Sequence, residues 1–134
     1  MNNGKVRFGY WHFPFLGDES TWAAEASECA AEQDAFWEYH DKLFEKQAGE
    51  NEGAFSKDNL KKIAAELKLD TETFNECLDS GKYSEEVQKM YSLAQSIGVT
   101  STPAFIINGQ PILGAQPFES FQQIIEADLQ SAQP

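Results

Sequence analysis

The chain has 134 residues, 22 of them acidic and 10 basic, for a formal net charge of −12. That length fits one domain able to bury a core without a metal or a disulfide lattice. At 41% apolar and 13% aromatic it is no disordered acidic tail, and its charge disfavours nucleic acid and anionic membrane surfaces, both of which attract Lys and Arg.

In chain order, Lys5–Trp11 alternates Val6, Phe8 and Tyr10 against Arg7, Gly9 and Trp11, the period of a strand, which Pro14 and Gly17 end. Residues 8–17 are apolar and follow Lys5 and Arg7. Their two Gly, His and Pro make them a poor signal peptide, and a strand followed by a loop fits better. From residue 18 the period becomes 3.6. Ser20 or Asp18 is expected to cap a helix through about Ala31, with Trp22, Ala26, Cys29 and Ala30 inward. A second helix after Asp34 points Phe36, Trp37, His40, Leu43 and Phe44 inward. Residues 47–53 read as a loop.

Ser56 starts a third helix to about Leu67, with Leu60, Ile63, Ala64 and Leu67 inward. Asp70 caps a fourth, with Phe74, Cys77 and Leu78 inward and Gly81 as its left-handed stop. A fifth runs from about Ser84 to Ile97, with Val87, Met90, Tyr91 and Ala94 inward, and stops at Gly98. Period two returns at Ala104–Ile107. Asn108-Gly109 is the strongest two-residue hairpin signal, and Ile112 and Leu113 lie on the return strand. Pro111 places that strand at a sheet edge. Pro117 opens a last helix through about Gln130, with Phe118, Phe121, Ile124, Ile125 and Leu129 inward.

The charge is uneven. Asp18–Ile97 holds 19 acids and 8 bases, a net of −11, and the rest holds 3 acids and 2 bases, a net of −1. The expected architecture is α/β: a single domain over 1–134, with residues 1–17 and 98–134 as a small core and 18–97 as an acidic helical insertion. No stretch approaches the run of about 18 apolar residues that crosses a membrane.

The chemistry-bearing residues are sparse. Cys29 and Cys77 are the two cysteines, and no C-x-x-C is present. That excludes a dithiol motif or zinc knuckle built from this sequence alone. The pair reads as two buried free thiols, as a structural disulfide or, least simply, as a reactive thiol, since nothing basic flanks either. A bridge over that loop would stabilise by about 4 kcal/mol in the chain-entropy model. His40, among aromatics, reads as structural. His12 follows the first strand and could line a groove. The two share no metal-ligand spacing, and the carboxylates scatter over helix surfaces. Thr100-Ser101-Thr102-Pro103 before an apolar strand is the most informative local feature. Its X-Pro bond sits where a cis peptide occurs, although trans is the default from composition alone.

Taken together, Gly98-Val99, Thr102-Pro103, Phe105-Ile106-Ile107-Asn108-Gly109 and Gly114-Ala115-Gln116-Pro117-Phe118 resemble the C-terminal half of a DsbA-like thioredoxin-fold protein. The runs from Glu28 to Gln33, Phe36 to Asp41 and Phe74 to Gly81 resemble that family's helical insertion. Val6-Arg7-Phe8 with Phe13-Pro14 resembles its second core strand. The resemblance implies extracytoplasmic thiol–disulfide exchange without a cofactor. It implies a cis Pro103, with Thr102 and Pro103 offering backbone groups to an extended peptide or protein substrate. It also implies a structural disulfide between Cys29 and Cys77.

The departure lies at the start. The family's first strand and its C-x-x-C helix are not in this sequence, so the chain is expected to be redox-inactive by itself. Two repairs of the vacant sheet position are expected: Lys5–Trp11 shifts beside Ala104–Ile107, or two chains associate across the gap. Two functions compete. One is an oxidoreductase whose start is lost from the reading frame. The other is a non-catalytic thioredoxin-like module for peptide binding or dimerisation.

Overall fold

The computed structural model describes residues 4–131. Its elements are α1 (Asp18–Ala31), α2 (Phe36–Glu45), α3 (Lys57–Glu66), α4 (Thr71–Ser80), α5 (Ser84–Ser96), β1 (Ala104–Ile107), β2 (Gln110–Leu113) and α6 (Phe118–Ser131). They fall into a helical unit, His12–Leu93, and a hairpin unit made of residues 4–11 and 94–131.

In the helical unit, α1 begins ahead of both expected caps, its cap lying one residue before Asp18 and three before Ser20. Gly17 holds the cap position at φ 91° without a side-chain bond, and Asp18 is the first helical residue. The orphan amides at this end are met from elsewhere: the Glu19 N–H donates to Asn51 Oδ1 at 3.3 Å. The Glu19 carboxylate in turn accepts from the Gly53 and Phe55 amides at 2.6 and 2.8 Å. The loop expected over 47–53 is thus tied to α1 by a buried carboxylate.

The apolar stripe of α2 differs from expectation. Tyr39 is the fully buried residue of this helix, and Leu43 packs on the core beside it. Trp37 and Phe44 are exposed at 44% and 59%. Aromatics cover most of α2, so periodicity alone does not choose among them. Tyr39 can go inside because its hydroxyl donates to the Leu60 carbonyl at 2.8 Å. Helices α3 and α4 follow the expected pattern, burying Leu60, Ile63 and Ala64, and Phe74, Cys77 and Leu78. Asp70 accepts from the Thr73 amide at 2.8 Å, and Gly81 closes α4 at φ 64°. Each fully buried Leu, Ile or Phe contributes about 1.5–3 kcal/mol of transfer free energy.

In the hairpin unit, β1 and β2 pair antiparallel, Ala104 opposite Leu113 and Ile107 opposite Gln110. Asn108 and Gly109 take φ 46° and 86°, the left-handed pair that a tight two-residue turn requires. One face of the hairpin meets α6, with Phe105 and Phe121 edge to face at 4.8 Å. Phe118 is not inward as expected but 75% exposed, and α6 buries no residue fully. The helix begins at Phe118, with Pro117 just before it accepting from the Ser120 amide at 3.0 Å.

The expected strand over Lys5–Trp11 does not form, and residues 6–15 carry no regular structure. The sheet has two strands, β1 and β2, so the shift of Lys5–Trp11 beside β1 is not adopted among the described residues. An alternating pattern marks which side chains could share a face. Only a neighbouring strand can satisfy the backbone groups of an isolated one.

Candidate functional site

The cis peptide is Thr102–Pro103, at the entry to β1. Ser101, Thr102 and Pro103 are exposed. The Pro103 carbonyl accepts from the Gly114 amide at 2.9 Å, which extends the β1–β2 ladder by one pair. Gly114 takes φ 77°, and beyond it the Gln116 amide turns back to the Gly114 carbonyl at 3.0 Å. The Gln116 side chain donates to the Leu113 carbonyl at 2.9 Å. Asn108, at the other end of the hairpin, donates to Asp128 of α6 at 2.7 Å. The loop is thus held from both sides. Among the described residues no hydrogen bond to Thr102 is formed.

The cysteines lie in the helical unit, where Cys29 of α1 is joined to Cys77 of α4 over a Cα separation of 5.9 Å. Both are buried, at 1% and 5% exposure. Beside this bridge in sequence, Glu32 Oε1 accepts from the Tyr83 hydroxyl at 2.6 Å and from Lys82 Nζ. Lys82 first and Tyr83 second hold the Glu32 carboxyl below its usual range. Tyr83 is pushed up to about 12 by that hydrogen bond and then by burial.

The histidines occupy different settings. His12 is buried, with Nε2 2.7 Å from Glu28 Oε1 and its ring edge-on to Phe36. It fixes the segment before α1 onto the helical unit rather than standing in an open groove. His40 is half-buried between Trp37 and Phe44, with Nδ1 3.0 Å from Asp41. Among the described residues no cluster of His, Cys, Asp or Glu is arranged to hold a metal, and no helix is long and apolar enough to cross a membrane.

A family model described as thioredoxin matches residues 1–127. The chain belongs to the thioredoxin family. Within that family it is DsbA-like. It is 31% identical over 133 residues to a probable disulfide bond formation protein D of Bacillus anthracis, covering 96% of this chain and 60% of that protein. The solved structure of oxidised BdbD from Bacillus subtilis superposes with a TM-score of 0.86 at 30% identity, covering 96% of this chain and 71% of that one. A thioredoxin-like oxidoreductase from Silicibacter pomeroyi shares the fold, with a TM-score of 0.76 at 24% identity over 92% of this chain and 68% of that one. The chain thus spans about 60% of the length of the disulfide bond formation proteins it matches.

The residues singled out in the sequence split between the units. Thr102 and Pro103 belong to the hairpin unit, Cys29 and Cys77 to the helical unit. Two supporting residues escaped the sequence reading: Glu28, which holds His12, and Glu19, which gathers the 53–55 amides. Both sit on α1 among other acids, and nothing in their spacing marks them as different.

Proposed function

We propose that these 134 residues supply the substrate-facing loop and the helical insertion of an extracytoplasmic thiol–disulfide oxidoreductase, and are redox-inactive by themselves. The observation that carries this reading is the joining of the sequence's two cysteines to each other in a buried bridge. Exchange needs an accessible thiolate and a second thiol to resolve the mixed disulfide. A buried bridge offers neither. The extracytoplasmic setting is supported by the bridge, which persists in oxidising compartments, and by the disulfide bond formation proteins among the relatives. Oxidation of a dithiol peptide by the isolated chain should proceed at the uncatalysed rate. Measurable turnover would overturn this reading.

The partner in this reading is an extended peptide, which adds a strand at the exposed Thr102-Pro103 loop by β-augmentation. Its backbone would meet the N–H and C=O of Thr102. The exposed Leu113 and Phe118 flank the same end of the hairpin in sequence and offer apolar side chains to the ligand. Titration with a labelled extended peptide checks this. Binding that is unchanged in Pro103→Ala would remove the loop from the site.

A further inference from the structure

We propose that Gln116 is a positioning residue for the Thr102-Pro103 loop. It takes two carbonyls that the end of the hairpin leaves without a ladder partner, and so holds the Pro103 carbonyl in place. That a substrate meets this loop rests on the function proposed above; that Gln116 holds the loop does not.

The two carbonyls follow from the ladder. Bonded and non-bonded pairs alternate along antiparallel strands, and the residues of a bonded pair exchange two hydrogen bonds. Ala104 stands opposite Leu113 and Phe105 opposite Ile112, so the next pair outward is Pro103 with Gly114. The Gly114 amide donates to the Pro103 carbonyl at 2.9 Å, which makes that pair a bonded one. On the same count Phe105 with Ile112 and Ile107 with Gln110 are bonded. The return bond, from residue 103 to the Gly114 carbonyl, cannot form because proline has no N–H. That carbonyl is the first group left over. One pair inward, Ala104 with Leu113 is of the non-bonded kind, so the Leu113 carbonyl points away from β1. It is the second.

Gln116 meets both. Its backbone N–H donates to the Gly114 carbonyl at 3.0 Å. Its side-chain Nε2 turns back to β2 and donates to the Leu113 carbonyl at 2.9 Å. One residue thus folds the chain back over positions 113 and 114 and replaces the bond that Pro103 lacks. Gly114 permits the bend, because at φ 77° it sits where other residues are strained. A Cβ there would lie 3.9 Å from Gln116 Nε2, so backbone conformation rather than space calls for glycine.

The chemistry of residue 116 is specific to this task. Its neighbours Gly114, Ala115 and Pro117 bring no side-chain donor. A Glu reaches as far, but its carboxylate only accepts. The Pro103–Gly114 bond is the last of the ladder and has no companion, so it opens first when its support is removed. The carbonyl is also the one backbone hydrogen-bonding group Pro103 owns. Fixing it fixes how the loop presents its backbone, and a loop already ordered loses less on binding a peptide.

Amide exchange on the 134-residue chain tests the positioning. In Gln116→Ala the Gly114 amide should exchange about fivefold faster, the effect of one modest hydrogen bond. The Phe105, Ile107 and Ile112 amides should keep their rates. Gln116→Glu keeps the length, loses the donor and should behave alike at neutral pH. On acidification through about 4.3, the ordinary Glu value, the introduced carboxyl regains a hydrogen to donate. Its Gly114 rate should then return to that of the unmodified chain at the same pH, a recovery that a space-filling role would not produce. A Gly114 rate unchanged in both variants, an increase shared by all the ladder amides, or no recovery in acid would each overturn the proposal. The consequence for substrate is read separately, with a fluorescein-labelled peptide of alternating Thr and Val, residues that favour an extended chain. Gln116→Ala should weaken its binding severalfold at an unchanged urea midpoint. Equal binding in that variant would overturn the link to substrate. No binding by the unmodified chain would sink the peptide reading, and the Gly114 exchange would still decide the role of Gln116.

Discussion

The helical unit surrounds a continuous core of Ala26, Cys29, Tyr39, Leu60, Ile63, Phe74 and Leu78 with four helices and closes it with a disulfide. The hairpin unit has aromatic and branched residues in plenty, but its one helix buries none of them fully. Ile97, Ile106, Leu113 and Phe118 are all more than half exposed there. The difference is one of layers. A helix hides its stripe when other helices supply the opposite surface, and α1 to α4 do this for one another. A two-stranded sheet has two faces and two edges, and one helix covers one face. The acidic unit thus holds the closed core, and the nearly neutral unit leaves more of its apolar side chains exposed.

Removing the bridge should break this contrast most. Cys29→Ala with Cys77→Ala frees a loop of 48 residues of sequence separation. The chain-entropy model then gives a loss of about 4 kcal/mol. Urea unfolding should show the helical unit losing most of that. Exchange of the Phe105 and Ile107 amides, held by the hairpin's own ladder, should respond far less. Equal loss in both units would mean that the contrast is wrong and the two unfold as one body.

The next effect is at Tyr39. Tyr39→Phe removes the hydroxyl that meets the Leu60 carbonyl inside the core, at a cost of about 1–2 kcal/mol in the same denaturation. Burial pushes the Tyr39 phenol well above its ordinary value of 10.0. Tyr83 also rises from 10.0, to about 12. A folded value above the unfolded one means stability fully present below pH 10 and lost as pH climbs through the folded value. Glu32 runs the other way: its contribution is present above its ordinary value of 4.5 and fades as pH falls through the lower folded one. A pH titration of helical ellipticity should show the alkaline limb, and Tyr39→Phe with Tyr83→Phe should move it to higher pH.

Smaller again is the cap of α4. Asp70→Ala should cost about 1 kcal/mol, since the Thr73 amide loses its acceptor. This local feature was legible in the sequence, as were the stops at Gly81 and Asn108-Gly109, because each depends on residues next to one another. The stripes of α3 and α4 were legible for the same reason: three apolar residues on a polar helix leave one way to face. The α2 stripe was not, because Phe36, Trp37, Tyr39, His40 and Phe44 cover most of its circumference and only the Leu60 carbonyl selects Tyr39. Glu19 and Glu28 were hidden because their partners lie 34 and 16 positions away. The expected strand at Lys5–Trp11 failed on the same ground, since its alternation was real but a strand is a property of a pair. At the candidate site, Thr102-Pro103 was visible through resemblance, while the Gly114 bond that holds it was not visible at all.

The smallest expected effect is the sharpest discriminator. Phe118→Ala truncates a large aromatic, a change that costs about 3–5 kcal/mol in a core. With the side chain 75% exposed at the start of α6, the loss should stay within about 0.5 kcal/mol. Leu60→Ala, of similar chemistry in the other unit, should cost about 2–5 kcal/mol because its site is closed on every side. A large loss at Phe118 would show that the hairpin unit buries this ring in solution, either against a second copy or within one chain. The two cases separate on dilution. A loss that shrinks as the chain is diluted reports association, and a loss independent of concentration reports packing within one chain.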